Sequence, residues 1–192
     1  MAAKPGERKL QILQTLAEML QQPRGEKITT AALAARLGVS EAALYRHFAS
    51  KAQMFEGLIE FIEQTLFGLI NKITSEEQSG VQQVEAIMAL LLGFAQKNPG
   101  MTRVLIGDAL VNEDERLQAR VNQLHDRLEA TLRQSLRIAA SQNEIAPQTD
   151  ASAQANKLFC LVVGRWHQFA KSGFRRPPME HWEEQKKLLL AC

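Results

Sequence analysis

The sequence predicts an all-α protein with an N-terminal helix-turn-helix head and a C-terminal helical dimerisation body. Apolar residues recur at intervals of three and four along most of the chain, which is the spacing of one face of a helix. The chain contains no convincing strand pattern and no internal repeat. We expect the head over residues 5–52 and the body over residues 53–192.

The head is predicted to contain three helices. Leu10 to Leu20 forms the first, with its apolar residues on one broad face, and residues 21–27 form a loop containing Pro and Gly. Thr29 is a suitable N-cap for the second helix, because its hydroxyl can accept from a free amide of the first turn. Gly38 ends that helix, since only a residue without Cβ enters the left-handed region cheaply, and Ser40 caps the third.

The body is predicted to contain six helices separated by polar or proline-containing breaks. Residues 98–100, Asn-Pro-Gly, are expected to form a turn, and Glu113-Asp114-Glu115 is expected to be a solvated helix start. The predicted helices cover residues 50–73, 81–96, 101–110, 116–139, 151–172 and 181–191.

Composition predicts a cytosolic protein without a metal or cofactor. The 45% hydrophobic content suffices for a core, and the two cysteines and four histidines have no metal-ligand spacing. The N-terminus lacks the apolar segment of a signal peptide, and the longest apolar run, Ile87 to Ala95, is too short to cross a membrane. The sequence contains no glycine-rich phosphate loop and no nucleophile elbow, so no motif in it predicts an enzyme.

Positive charge is concentrated in the head. Residues 1–57 contain eight Lys or Arg and five Asp or Glu, whereas the remainder contains fifteen and sixteen. A modest positive excess beside a helix-turn-helix fits neutralisation of DNA phosphates.

The predicted third helix has a polar outer face typical of a DNA-recognition helix, although an ordinary helical hairpin is the alternative. Arg46 can contact guanine or a phosphate, and Ala42 can approach a thymine methyl group. Glu41 either favours the helix dipole or contacts cytosine, and His47 also suits packing near Phe48. The candidate DNA contacts are Thr29, Thr30, Ser40, Glu41, Ala42, Tyr45, Arg46, His47 and Lys51.

Residues 38–51, Gly-Val-Ser-Glu-Ala-Ala-Leu-Tyr-Arg-His-Phe-Ala-Ser-Lys, resemble the signature of the tetracycline-repressor (TetR) family. This resemblance implies an all-helical dimer that binds palindromic double-stranded DNA. Leu90 to Arg103 and Arg116 to Leu124 are similar to segments of the nucleoid occlusion branch of that family. The resemblance therefore implies a nucleoid-associated regulator that antagonises polymer assembly by the cell-division GTPase FtsZ.

The same resemblance implies a groove for the C-terminal tail of FtsZ. Lys97 suits an acidic tail, whereas Leu69 stands where the family has an arginine. Gly93 lies inside a predicted helix, where glycine costs about 1 kcal/mol relative to alanine, so we expect a close neighbour from another helix or a bound peptide. The candidate partner-binding residues are Phe61, Leu90, Gly93, Lys97 and Asn98.

The predicted helix over residues 151–172 has an apolar stripe with Gly164 near its middle. This stripe is predicted to form the dimer interface, although a helix of this kind can instead belong to the core. In the family, the last two major helices form a four-helix bundle across the dimer axis. The candidate interface residues are Leu158, Leu161, Val162, Trp166 and Phe169.

A ligand-responsive transcriptional repressor is the alternative function of the protein.

Overall fold

A computed structural model describes residues 5–22, 28–111 and 113–190, and it confirms the all-α prediction. Within these ranges the regular structure consists of helices and a 3₁₀ turn at Asp108–Leu110. The α-helices are α1 (Pro5–Leu20), α2 (Thr30–Leu37), α3 (Glu41–Tyr45), α4 (Lys51–Glu76), α5 (Gly80–Lys97), α6 (Pro99–Leu105), α7 (Glu115–Ser141), α8 (Ala151–Lys171) and α9 (Trp182–Leu190).

Three predicted boundaries of α1 and α6 were wrong. α1 begins at Pro5 rather than Leu10. The prediction missed its first turn because the residues there are polar and show no apolar period. The expected turn at residues 98–100 is the start of α6, with Asn98 at the N-cap and Pro99 at the first helical position. Proline suits that position because its missing N–H would have no helical partner. The helix then ends at Leu105 instead of continuing to residue 110.

The described residues form two compact units, each made of two separate stretches of chain. The first unit combines the described residues up to Ile62 with residues 98–121. The second combines residues 63–97 with residues 122–190. The predicted boundary between residues 52 and 53 lies inside α4, within the first unit.

In the first unit, α1 packs against α2 and α6. A Cβ atom added to Gly100 would lie 1.9 Å from the carbonyl oxygen of Ala17, so only glycine permits this approach of α6 to α1. The Arg103 guanidinium donates to the carbonyl oxygens of Leu20 and Gln22, at 3.2 and 3.3 Å. It also pairs with Asp108 at 2.7 Å. These contacts attach α6 to the end of α1.

In the second unit, α5 packs against α8 and α9. The Trp166 indole nitrogen donates to the Leu91 carbonyl at 3.1 Å, which satisfies the polar atom of a fully buried aromatic side chain. Ser135 donates to the Gln83 side-chain oxygen at 2.9 Å, so this buried polar pair is hydrogen-bonded. The core of this unit therefore contains one face each of α5, α7 and α8.

Candidate DNA interface and partner surfaces

The helix-turn-helix has the local geometry that its cap residues predict. The Thr29 hydroxyl accepts from the Ala32 amide at 3.1 Å, and the Ser40 hydroxyl accepts from the Ala43 amide at 3.3 Å. Gly38 lies in the left-handed region at φ 67°, as expected for the residue that ends α2. These three residues fix the direction in which α3 leaves the turn.

Apolar residues hold α2 and α3 together. Leu33, Ala34 and Leu44 are buried, while Leu37 and Val39 are half-buried. The small side chain of Ala34 permits the close crossing of the two helices. The recognition helix α3 therefore sits on a packed base, although it is only five residues long.

Six of the candidate DNA contacts are exposed on the outer face of the motif, and three are half-buried. The half-buried residues are Thr30, His47 and Lys51. The exposed residues are Thr29, Ser40, Glu41, Ala42, Tyr45 and Arg46.

Three of these side chains form a hydrogen-bonded chain across α2 and α3. Thr30 donates its hydroxyl proton to the Glu41 carboxylate at 2.6 Å. Tyr45 then donates to the Thr30 hydroxyl oxygen at 3.4 Å, which is longer than an ordinary O–H···O bond, so this second contact is weak. Neither of the sequence-based interpretations of Glu41 anticipated this role. Its carboxylate orients Thr30, and Thr30 orients Tyr45.

Lys51 has a partner that sequence reasoning missed. Its ammonium group forms an ion pair with the carboxylate of Glu113, which lies in the same compact unit. The interpretation of Glu113 as part of a solvated helix start was therefore wrong, because only 14% of its side chain is exposed. The sixty-two-residue separation explains why no local pattern could have identified the pair.

Asp114 and Arg116 do form a surface cap at the start of α7. Arg116 donates from its guanidinium to Asp114 at 2.8 Å, and its backbone N–H also donates to that carboxylate at 3.0 Å. These hydrogen bonds lower the pKa of Asp114 to about 2. The carboxylate therefore remains charged at the positive end of α7 over the whole physiological range.

Leu90, Gly93 and Lys97 share one face of α5 in the second unit, at helical spacing. Leu90 and Gly93 are half-exposed, and Lys97 is exposed. Phe61 and Asn98, the other two candidate partner-binding residues, belong to the first unit and are half-buried.

Gly93 has no close neighbour within the described residues. A Cβ atom added there would meet no atom within 4 Å. Packing against another helix among the described residues therefore does not explain the glycine. A methyl group at this position would therefore fit without disturbing the core.

The predicted dimer interface was largely wrong. Leu158, Val162, Trp166 and Phe169 are at most 3% exposed within a single chain, so they hold α8 to its own core. Leu161 is only half-buried. The opposite face of α8 exposes Cys160, Gly164 and His167, and a Cβ atom added to Gly164 would meet no atom within 4 Å.

The histidines do not assemble a metal site. His125 lies against the rings of Phe159 and Trp166, at centroid distances of 5.3 and 5.9 Å, inside the second unit. Among the described residues, no cluster of three or more His, Cys, Asp or Glu side chains has the arrangement to bind a metal. None of the helices in those residues is long and apolar enough to span a bilayer.

Two family models match the chain in sequence. Residues 12–58 match the N-terminal domain of bacterial regulatory proteins of the tetR family. Residues 78–191 match the SlmA-like tetracyclin repressor-like C-terminal domain. The two matches together cover both the DNA-binding head and most of the body.

The curated relatives include proteins named Nucleoid occlusion factor SlmA. That of Alteromonas mediterranea is 52% identical over 184 residues, covering 96% of this chain and 94% of the relative. That of a Marinomonas species is 49% identical over 189 residues, covering 98% and 96%.

Solved structures share the fold at low sequence identity. The TetR family regulator PfmR from Thermus thermophilus has a TM-score of 0.78 at 22% identity, covering 94% of this chain and 97% of that one. A TetR regulator from Haloarcula marismortui has a TM-score of 0.82 at 14% identity, covering 97% of each chain. With family models matching over both regions and full-length relatives at this identity, the chain belongs to the SlmA-like branch of the TetR family.

Proposed function

We propose that this chain is a nucleoid occlusion factor, which binds specific palindromic sites on the chromosome and antagonises FtsZ polymer assembly there. The observation that carries the proposal is the 52% identity to a protein of that name over 96% of the chain. A protein with this activity acts at the nucleoid, because the DNA sites determine where division is blocked.

The head supports the DNA-binding part of the proposal. Its recognition helix exposes Tyr45, with Arg46 exposed at the C-cap, beside the small side chain of Ala42, so the helix backbone can approach the major groove closely. Ser40 and Thr29 present hydroxyls near the helix N-termini, where phosphates bind favourably. Two heads of a dimer would then read half-sites separated by about 34–36 Å.

The exposed face of α5 supports the partner part. Gly93 leaves an open position between Leu90 and Lys97, so an extended peptide can lie against the helix backbone. Lys97 supplies a positive charge in the last turn, which favours an acidic peptide. We propose that the C-terminal tail of FtsZ occupies this face of α5.

The exposed face of α8 supports homodimerisation. An interior glycine costs a helix about 1 kcal/mol relative to alanine, and no contact within the described chain accounts for Gly164. Close approach of a second copy of α8 would account for it. We propose that Cys160, Leu161, Gly164 and His167 replace the buried stripe as the α8 contribution to the dimer interface.

Co-sedimentation with FtsZ filaments, with and without specific DNA, tests this function. We expect the protein to pellet with the filaments and to reduce the amount of filament when its DNA site is present. A fluorescent FtsZ tail peptide gives a direct binding measurement. If neither assay detects an interaction while the protein still binds DNA, the ligand-responsive repressor becomes the better interpretation.

A further inference from the structure

The segment from α6 to the start of α7 folds with the DNA-binding head. Residues 98–121 belong to the same compact unit as α1, α2 and α3. Gly100 packs against the Ala17 carbonyl, and Arg103 donates to two carbonyl oxygens around the end of α1. This segment, residues 98–121, carries Glu113 and is called the connector below. It is therefore anchored to the head.

Glu113 reaches the first residue of α4. Its carboxylate pairs with the Lys51 ammonium group, and the two side chains are 14% and 21% exposed. The Lys51 nitrogen also lies 5.6 Å from the ring centroid of the buried Phe55. Because these groups are largely removed from water, their attraction is stronger than that of an exposed surface pair.

This arrangement neutralises a cation that the DNA-binding surface needs. Lys51 is one of the candidate phosphate donors, and a phosphate reaching it must either displace the Glu113 carboxylate or approach beside it. Displacement breaks a partly desolvated ion pair, and approach places two negative groups together. Both routes reduce the gain from the phosphate contact.

We infer that Glu113 is an intramolecular competitor of DNA for Lys51, and that this contact limits the affinity of the head for DNA. The inference rests on the proposed DNA-binding function. The backbone of Glu113 is itself restrained, since its N–H donates to the Leu110 carbonyl at 3.0 Å after the 3₁₀ turn. A shift of this connector would release Lys51, so the contact is a place where the connector controls DNA affinity.

A charge-neutral substitution tests this role. Glu113→Gln keeps the size of the side chain and removes its charge. We expect it to tighten binding to a palindromic duplex, selected from a random pool, by about fivefold at low salt. We also expect the slope of log affinity against log salt to become steeper by about one or less, because Lys51 then neutralises one more phosphate.

Glu115→Gln is the matched control. Glu115 is exposed in the first turn of α7, so its loss changes the net charge equally, two residues away. We expect less than about a twofold change, as for a screened surface charge. In a Lys51→Gln background, Glu113→Gln should have no larger effect than this control.

The outcomes separate the inference from the function on which it rests. If the wild type fails to bind any selected duplex, the proposed DNA binding is wrong. If the wild type binds and Glu113→Gln leaves affinity and salt slope unchanged or lower, the competition is rejected. Thermal unfolding of each variant shows whether the fold is retained. If Glu113→Gln is not folded, the Lys51→Gln protein decides, since competition then predicts that it loses less than about threefold in affinity.

Discussion

Gly100 in α6 and Gly164 in α8 are both helical glycines, but their surroundings in the two units are opposite. A Cβ atom at Gly100 would collide with the backbone of Ala17, whereas one at Gly164 would meet nothing within 4 Å. The first glycine is explained by packing inside its own chain. No contact among the described residues explains the second.

The same contrast extends to charged and polar side chains. In the first unit, Lys51 and Thr30 lie on the expected DNA surface but already pair with Glu113 and Glu41. In the second unit, Lys97 is exposed beside the open Gly93. Lys51 and Thr30 are therefore already held by contacts within the first unit, whereas the second unit has an open position at Gly93 beside an exposed lysine.

The largest expected effect comes from the buried face of α8. Val162→Glu would place a carboxylate where no part of the side chain is exposed, at a cost of more than about 4 kcal/mol in the free energy of unfolding. Leu161→Glu, on the half-buried flank, should instead weaken the dimer. Circular dichroism and light scattering distinguish the two results. If Val162→Glu folds as a stable monomer, the buried stripe of α8 is the dimer interface after all.

Gly100→Ala is expected to lower the free energy of unfolding by about 3 kcal/mol, because α6 must move away from the Ala17 carbonyl. Gly68→Ala is the control, since Gly68 is exposed in α4 and its Cβ would meet nothing. That control should gain up to about 1 kcal/mol from helix propensity. Urea titration measures the free energy of unfolding of both variants. Equal changes would show that Gly100 is no more crowded than Gly68.

Gly164→Leu is expected to raise the dimer dissociation constant by about tenfold or more while leaving the fold intact, since Gly164 is exposed and a Cβ atom there meets nothing within 4 Å. Gly68→Leu introduces the same side chain at another open helical position and should not affect the dimer. Analytical ultracentrifugation gives the dissociation constants. A dimer that tolerates leucine at position 164 would place the interface elsewhere.

Lys97→Glu is expected to weaken binding of the FtsZ tail peptide by about tenfold, since it reverses a charge on the proposed peptide face. Gly93→Glu should do so too without unfolding the protein, because the position is open. Fluorescence anisotropy measures peptide binding, and affinity for DNA is the control. Unaltered peptide binding by both variants would reject this site but not the wider function.

Tyr45→Phe is expected to have the smallest effect, a weakening of DNA binding by a few-fold across all sequences, because it removes one of the proposed phosphate donors. Lys51→Gln should lower the salt slope by well under one, because Glu113 already neutralises part of the charge of Lys51. Arg46→Ala, in contrast, should change sequence preference if Arg46 reads a base. Binding to a duplex pool over a salt series provides these values. An unchanged slope and affinity for both Tyr45→Phe and Lys51→Gln would contradict the docking model.

Features that depend on neighbours in sequence were predictable. The caps at Thr29 and Ser40 and the left-handed Gly38 need only the next three or four residues, so their positions followed from residue type. The helical periods of α4, α5, α7 and α8 were equally clear. The family signature in residues 38–51 then indicated what the head binds.

The sequence by itself determined an all-α chain of the TetR family and the outer face of its recognition helix, because helix periods and caps are local properties. Only the tertiary structure decided that Trp166 faces its own core, that Glu113 reaches Lys51, and that Gly100 is crowded while Gly164 is open. An apolar stripe or a glycine has the same sequence pattern whether its neighbour in space is another helix, a second copy of the protein or solvent. Distant segments supply that neighbour, so it is set by packing and not by residue type.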